Sequence, residues 1–306
     1  MKKNPNSRKL IVIVGPTAVG KSELAVELAR KYGGEIISAD SRQVYTGLDI
    51  GTGKVTKKGM HGIPHHLLDV TDPRRQFTVA KYTKLAQKAL DDILARGKLP
   101  IICGGTGLYI DALLGRVLIP EVPPNPKLRK QLERKSVSSL FAMLQKLDPG
   151  RAETIDRHNS RRLVRAIEIA TVLGRVPVRA VILKNNSIAV QPLYIGLTLP
   201  KNELKGKIAL RLTARIDSGM IEEAKRLHTE RVSWKRMEEL GLEYRYVSRF
   251  LRGRISREEM VAELQSEIWH YAKRQMTWFK RNKEIRWFKP SEQSVIEEKV
   301  RKFIST

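Results

Sequence analysis

Leu10-Ile-Val-Ile-Val14 is an unbroken apolar run rich in β-branched residues, the pattern of a strand buried on both faces. Gly15 stops the run, and Gly15 to Gly20 is turn-rich. From Lys21 to Tyr32 the apolar residues shift to helical spacing, with Leu24, Ala25, Leu28 and Ala29 on one face, until Gly33-Gly34 ends the helix. Glu35-Ile-Ile-Ser38 predicts a second short strand. Phe77 to Arg96, closed by Gly97, predicts another helix. Leu99-Pro-Ile-Ile-Cys103 predicts a third strand, followed by Gly104-Gly105. Strands that alternate with helices imply a parallel sheet covered on both faces.

The alternation breaks at Pro120. Pro120, Pro123, Pro124 and Pro126 crowd one short stretch and mark a domain boundary. From Glu121 to Val190 the chain reads as helical. Leu193 to Leu199 reads as a strand returning to the sheet, and the remainder reads as helical. The expected fold is therefore α/β, and because Gly15 to Ser22 after the first strand reads G-x-x-x-x-G-K-[ST], it is a P-loop NTPase-like parallel sheet covered by helices. Its core is formed by residues 1–120 and 191–306, with a helical insertion domain at 121–190. A chain of 306 residues, 41% of them hydrophobic, has enough apolar material for such a core and a smaller second domain.

Charge changes the picture more than length does. Lys and Arg number 58 against 32 Asp and Glu, for a formal net charge of +26. Such an excess repels the folded chain from itself, and a polyanionic partner is the natural reason to keep it. Nucleic acid is the first candidate and an acidic membrane surface its rival. The net positive charge is densest in the insertion. It carries 14 Lys and Arg against 6 Asp and Glu in 70 residues, whereas the first 120 residues carry 19 against 10.

The single cysteine, Cys103, excludes an intramolecular disulfide and a cysteine-based zinc site. The basic stretch from Met1 to Lys9 leads into an apolar run too short for a signal core, and no segment is long enough to span a bilayer. A cytoplasmic protein is expected. Nothing demands a partner subunit, so a monomer is expected.

Gly15-Pro16-Thr17-Ala18-Val19-Gly20-Lys21-Ser22 matches G-x-x-x-x-G-K-[ST] between a strand and a helix. In such a loop the backbone N–H groups turn inward toward phosphate oxygens. The helix N-terminus adds partial positive charge. Lys21 can neutralise a distal phosphate, and the Ser22 hydroxyl can ligate Mg²⁺. Kinases, NTPases and transferases all use this loop, so it does not name the reaction. The third predicted strand runs into Gly104-Gly105-Thr106 with no acidic residue, which weakens an NTP-hydrolysing reading. Asp40 follows the second strand, at the sheet edge where open α/β sheets bind ligands. It can take a proton from an attacking nucleophile, or cap a turn, or help hold the metal.

Several segments together resemble the tRNA dimethylallyltransferase family, bacterial type. They are Gly15 to Ser22, Ser38-Ala-Asp-Ser-Arg-Gln-Val-Tyr45, Asp49-Ile-Gly-Thr-Gly-Lys54, Pro64-His-His-Leu-Leu-Asp69 and Gly104-Gly-Thr-Gly-Leu-Tyr109. Asn159-Ser-Arg-Arg-Leu-Val-Arg-Ala-Ile-Glu168 and Ala272-Lys-Arg-Gln-Met-Thr-Trp-Phe279 follow in the family's order. The resemblance implies transfer of a dimethylallyl group from dimethylallyl diphosphate to N6 of the adenosine 3′ of the anticodon. It implies a core interrupted by a helical insertion that grips the tRNA anticodon stem-loop.

The family's general base falls on Asp40, a threonine near the reacting centre on Thr106, and the arginine that steadies the diphosphate on Arg211. Thr17 also faces the donor. The implied tRNA contacts are Asp40, Ser41, Arg42, Gln43, Thr106, Arg129, Arg161, Arg162 and Arg165. The family often has Gln where this chain has Arg161, and Ala where it has Gly53. Eukaryotic relatives often append a Cys/His zinc finger, whose cysteines this chain lacks.

Other readings remain beside this one. A small-molecule or nucleotide kinase using ATP would share the loop and an acidic residue after the second strand, without needing a basic insertion. Prenyl transfer to free adenine nucleotides would share the chemistry, and an RNA-binding module gated by a nucleotide would share the charge. Arg161, Arg162, Arg165 and Glu168 read as the polar side of a helix whose apolar stripe includes Leu163, Ile167 and Ala170. A solvated face and an RNA-contacting face both fit them. Trp269 and Trp278 read as core packing, with Lys273 and Arg274 facing solvent or RNA. His65 and His66 lack ligand spacing and read as packing or pocket lining. Cys103 reads as buried and inert.

Overall fold

The computed structural model describes residues 8–177 and 190–306. Six parallel strands are described: β1 (Arg8–Val14), β2 (Gly34–Ser38), β3 (His65–His66), β4 (Leu99–Cys103), β5 (Val190–Leu197) and β6 (Arg286–Phe288). Their spatial order is β3-β2-β4-β1-β5-β6, so β4 lies between β2 and β1. The apolar run in β1 is buried without alternation because helices cover both faces of the sheet.

Helices α1 (Lys21–Tyr32), α2 (Lys57–Met60), α3 (Val79–Ala95) and α4 (Gly107–Leu113) alternate with the first strands. α1 ends at Gly33, whose φ of 62° supplies the left-handed C-cap. α3 starts where the Thr78 hydroxyl accepts the Lys81 N–H. Next come α5 (Pro126–Leu132), α6 (Val137–Leu147), α7 (Pro149–Thr154) and α8 (Ser160–Leu173). After β5 follow α9 (Lys201–Asp217), α10 (Met220–Thr229), α11 (Trp234–Leu240), α12 (Leu242–Leu251), α13 (Arg257–Phe279) and α14 (Gln293–Ser305).

Two cores hold the sheet-bearing unit together. In one, Ile11, Ile13, Ile36, Ile101 and Ile195 of the sheet meet Leu24 and Leu28 of α1 and Ile296 and Val300 of α14. In the other, α9, α10, α12 and α13 pack around Val44 and Leu48 through Leu212, Leu227, Val247 and Leu264.

The described residues fall into two compact units, one of residues 8–113 and 190–306 and one of residues 114–177. The division comes ahead of the proline cluster. In the second unit α5 to α8 enclose Leu132, Leu140, Leu144, Leu163 and Ile167.

Three expectations need correction. The remainder after Leu199 is not wholly helical, because Arg286–Phe288 forms β6 against β5. Val190 begins a strand rather than ending a helical stretch. Glu168 does not lie on a polar face: it is 1% exposed. Its carboxylate is buried because Arg129 grips both oxygens at 2.7 and 2.6 Å, Arg165 adds a contact at 3.1 Å and the Asn125 N–H donates at 2.8 Å. Burial alone would raise this carboxyl's pKa, but those donors overcome it and hold the group below its usual range. The helical reading of 178–189, and Met1 to Ser7 of the basic N-terminus, lie outside the described residues.

Candidate active site

β1 delivers the chain into the glycine-rich loop at Gly15, where no side chain fits. Its φ is +145°, and a Cβ there would lie 2.4 Å from the Leu197 carbonyl oxygen. Ala18 takes φ 63°, an uncommon backbone for a non-glycine residue that recurs at ligand-gripping sites. Gly20 caps α1 with no side-chain oxygen. The first N–H groups of α1 and the positive end of its dipole are therefore available to an anion. Lys21 Nζ donates to the Pro16 carbonyl at 2.6 Å. Desolvation pushes the Lys21 pKa down to about 8, with the Arg211 charge adding to the effect and Cys103 and Asp40 opposing it.

Asp40 leaves the C-terminal end of β2. Its Oδ1 accepts the N–H groups of Arg42 at 2.8 Å and Gln43 at 3.3 Å. These bonds fix the carboxylate while leaving Oδ2 to serve as an acceptor. Thr106 comes from the turn after β4. Its N–H donates to the Ala39 carbonyl at 3.0 Å, and its Oγ1 accepts the Ser41 N–H at 3.0 Å. Asp40 and Thr106 are thus held by adjoining loops through direct backbone bonds. Tyr271 faces the same space, and burial raises its pKa.

The opposing wall is cationic. Arg211 of α9 donates to the Gly53 carbonyl at 3.3 Å. Its side chain keeps contact with solvent, but crowding by protein, then the Arg215 charge, lowers its pKa to about 10. Arg215 bonds the Gly51 carbonyl and pairs with the buried Glu243 at 2.9 Å. Burial raises the Glu243 pKa against that pairing. The loop at 49–51 is held from below by Glu223, whose carboxylate accepts three successive backbone N–H groups and the Tyr244 hydroxyl. Gly53 earns its place here: φ is +58°, and a Cβ would lie 2.5 Å from Arg211 Nη2 and 2.3 Å from Arg215 Nη2.

These groups surround a cavity of about 660 Å³ whose lining includes Thr17, Lys21, Ser22, Asp40, Gln43, Arg211, Tyr271 and Gln275. Cys103 and His65 also line it. Burial pushes the Cys103 thiol up to about 11, which keeps it protonated at neutral pH. A second cavity, of about 980 Å³, includes Ser41, Arg42, Arg245, Glu267 and Arg274. Thr17, Asp40, Thr52 and Tyr271 line both. A carboxylate on a wall common to a cationic chamber and a second chamber can receive a proton while an anion departs on the other side.

Of the residues singled out in the sequence, the structure gathers Thr17, Lys21, Ser22, Asp40, Ser41, Arg42, Gln43, Thr106 and Arg211 around these cavities or in direct contact with their lining. Arg129, Arg161, Arg162 and Arg165 belong to the other compact unit. There Arg129 and Arg165 neutralise Glu168, and Arg165 also bonds the Val122 carbonyl, whereas Arg161 and Arg162 are exposed. Tyr271, Gln275, Arg215 and Glu243 were not anticipated individually. The first two are four apart on α13 and share one face, a spacing that does not by itself mark a site. Trp278 packs over Gly107 and donates to Asp111 at 2.8 Å, and Trp269 lies against the helical core, as core packing predicted.

The IPP transferase family profile matches residues 43–282. "tRNA dimethylallyltransferase 2" of Treponema denticola is 47% identical over 272 residues, covering 89% of this chain and 91% of its own length. The solved tRNA isopentenylpyrophosphate transferase of Bacillus halodurans superposes with a TM-score of 0.71 at 35% identity, covering 98% of this chain and 96% of that one. A eukaryotic dimethylallyltransferase, solved in snapshots acting on tRNA, gives 0.76 at 28% identity, over 89% of this chain and 70% of its own. With a family match across most of its length and relatives well above 30% identity, this chain belongs to the IPP transferase family.

Proposed function

We propose that the protein transfers a dimethylallyl group from dimethylallyl diphosphate to N6 of the adenosine that follows the anticodon in tRNA. The observation that carries this reading is the shared wall. Asp40 borders both the chamber containing Lys21, Ser22 and Arg211 and the chamber containing Arg42, Arg245 and Arg274. The donor's diphosphate occupies the first, and an adenine swung out of the anticodon loop enters the second, at an unstacking cost of about a few kcal/mol.

N6 attacks C1 of the dimethylallyl group. The C1–O bond breaks, and its electron pair leaves with the diphosphate. The N6 proton passes to the Asp40 carboxylate. An aromatic amine is barely acidic, so the proton moves during or after attack. Lys21, Arg211 and the N–H groups of the glycine-rich loop oppose the charge growing on the leaving oxygens.

Mg²⁺ fits the same chamber. Ser22 lines it beside the expected diphosphate, and among the described residues no cluster of three His, Cys, Asp or Glu side chains could hold a metal ion by itself. That donor set suits an ion held by one hydroxyl, substrate oxygens and water. When bound there, the ion adds positive charge against the departing diphosphate. The net charge of +26 supports a tRNA partner. No described helix is long and apolar enough to cross a membrane; cytoplasmic location and a monomeric state complete the proposal.

Incubation with unmodified tRNA and labelled dimethylallyl diphosphate is expected to label the tRNA, while γ-labelled ATP transfers nothing. Phosphate transfer from ATP, without prenyl label, would select the kinase reading.

The insertion's arginines separate by their environment. Arg161→Ala should weaken tRNA binding and lower the salt slope by about 0.7–0.9, the loss of one phosphate contact. Arg129→Ala should instead destabilise the protein by about 2 kcal/mol, because buried Glu168 loses a charged partner. Denaturant melts and salt-titrated tRNA binding on both variants check the split. An unchanged salt slope for Arg161→Ala would assign it to a solvated face.

A further inference from the structure

β4 lies between β1 and β2, so the glycine-rich loop after β1 and Asp40 after β2 are separated by the turn after β4. That turn is tied to the Asp40 side through Thr106, Ala39 and Ser41. A further side-chain tie runs to α13. Gln275, 5% exposed, accepts the Thr17 N–H on Oε1 at 2.8 Å and donates from Nε2 to the Gly105 carbonyl at 3.0 Å.

The amide's orientation is dictated by its partners. A backbone N–H can only donate and a carbonyl can only accept, so a carboxamide satisfies both with one planar group. Contact is close: a Cβ on Gly105 would lie 2.0 Å from Gln275 Nε2. Thr17 is in the glycine-rich loop, and both Thr17 and Gln275 line the donor chamber. Tyr271, one helical turn earlier, lines the same chamber.

We propose that Gln275 is a positioning residue for prenyl transfer: its amide sets the spacing between the loop that holds the leaving group and the Asp40–Thr106 side that receives the proton. The proposal rests on the prenyl-transfer reading. Group transfer is sensitive to such spacing, since a displacement of about 1 Å costs roughly a hundredfold in rate. Binding of either substrate alone does not require the two loops to be in register. The loss of this bridge should therefore fall on kcat and spare KM.

The test uses the full chain, unmodified tRNA and dimethylallyl diphosphate. Gln275→Met keeps the side chain's length but has no amide. It is expected to lower kcat roughly 30- to 100-fold, with donor KM and tRNA Kd within about threefold of wild type. Gln275→Glu keeps the acceptor for Thr17 but sets a carboxylate oxygen against the Gly105 carbonyl. Once protonated, the introduced carboxyl regains the donor and mimics the amide. The ratio of Q275E to wild-type kcat should therefore rise as pH falls, while the Q275M ratio stays flat. In the free protein, hydrogen exchange at the Thr17 amide should be faster in Q275M than in wild type.

Full activity in both variants, or losses shared equally between kcat and KM with no pH-dependent recovery in Q275E, would overturn the proposal. Equal Thr17 exchange in wild type and Q275M would overturn it as well. A wild-type protein that transfers no prenyl group would instead sink the underlying reading, and Thr17 exchange would still decide whether Gln275 makes the clamp.

Discussion

Asp40→Asn is expected to lower kcat about a thousandfold, within the range of general acid–base contributions, while donor KM and tRNA affinity change little. Asparagine is the informative substitution because Asp40 has two duties. Its Oδ1 fixes the turn by accepting the Arg42 and Gln43 N–H groups, and an amide oxygen can continue that. What the amide cannot do is take the N6 proton. Asp40→Ala removes both duties, so it should also loosen the turn and raise the tRNA Kd. Single-turnover assays with both variants, alongside filter binding of tRNA, separate the two effects. A kcat within tenfold of wild type for Asp40→Asn would remove Asp40 from proton transfer and leave it as a turn cap.

That turn illustrates what a sequence can and cannot reveal. Asp40, Lys21 and Ser22 are legible because each follows a strong local signal: an apolar run, then a glycine-rich turn or a short polar stretch at the sheet's ligand-binding edge. β1, α1, β2 and β4 are legible for the same reason, and their boundaries shift by no more than a few residues. β3 and β6 are not, because strands of two and three residues carry no periodicity and exist only by pairing with a neighbour.

Glu168 misleads for a related reason. On α8 it has the spacing of a polar face, but Arg129 from α5 reaches across to neutralise it. Gln275 and Glu243 lie far along the chain from their partners at Thr17 and Gly105, and at Arg215. Nothing in the local pattern around Gln275 distinguishes a buried clamp from an ordinary helical glutamine. Gly53 shows the reverse: its identity has little meaning in the sequence, yet two guanidinium groups approach the space where a Cβ would sit.

Lys21 yields the other large expected effect. Its pKa is lowered to about 8 because burial penalises the ammonium. Only the protonated form can meet an incoming diphosphate with a positive charge, so kcat/KM for the donor should fall above about pH 8, tenfold per pH unit. At saturating donor, the bound anion restores the Lys21 proton, and kcat should remain level to higher pH than kcat/KM. Lys21→Met lacks the charge at every pH. It should lose roughly a hundred- to thousandfold in kcat, and its kcat/KM should show no break near pH 8. Lys21→Arg stays charged throughout and should likewise lack the break, at reduced activity. Wild-type kcat/KM flat through pH 9, or a Lys21→Met profile that keeps the break, would mean that another group titrates there and that Lys21 does not carry the leaving-group charge.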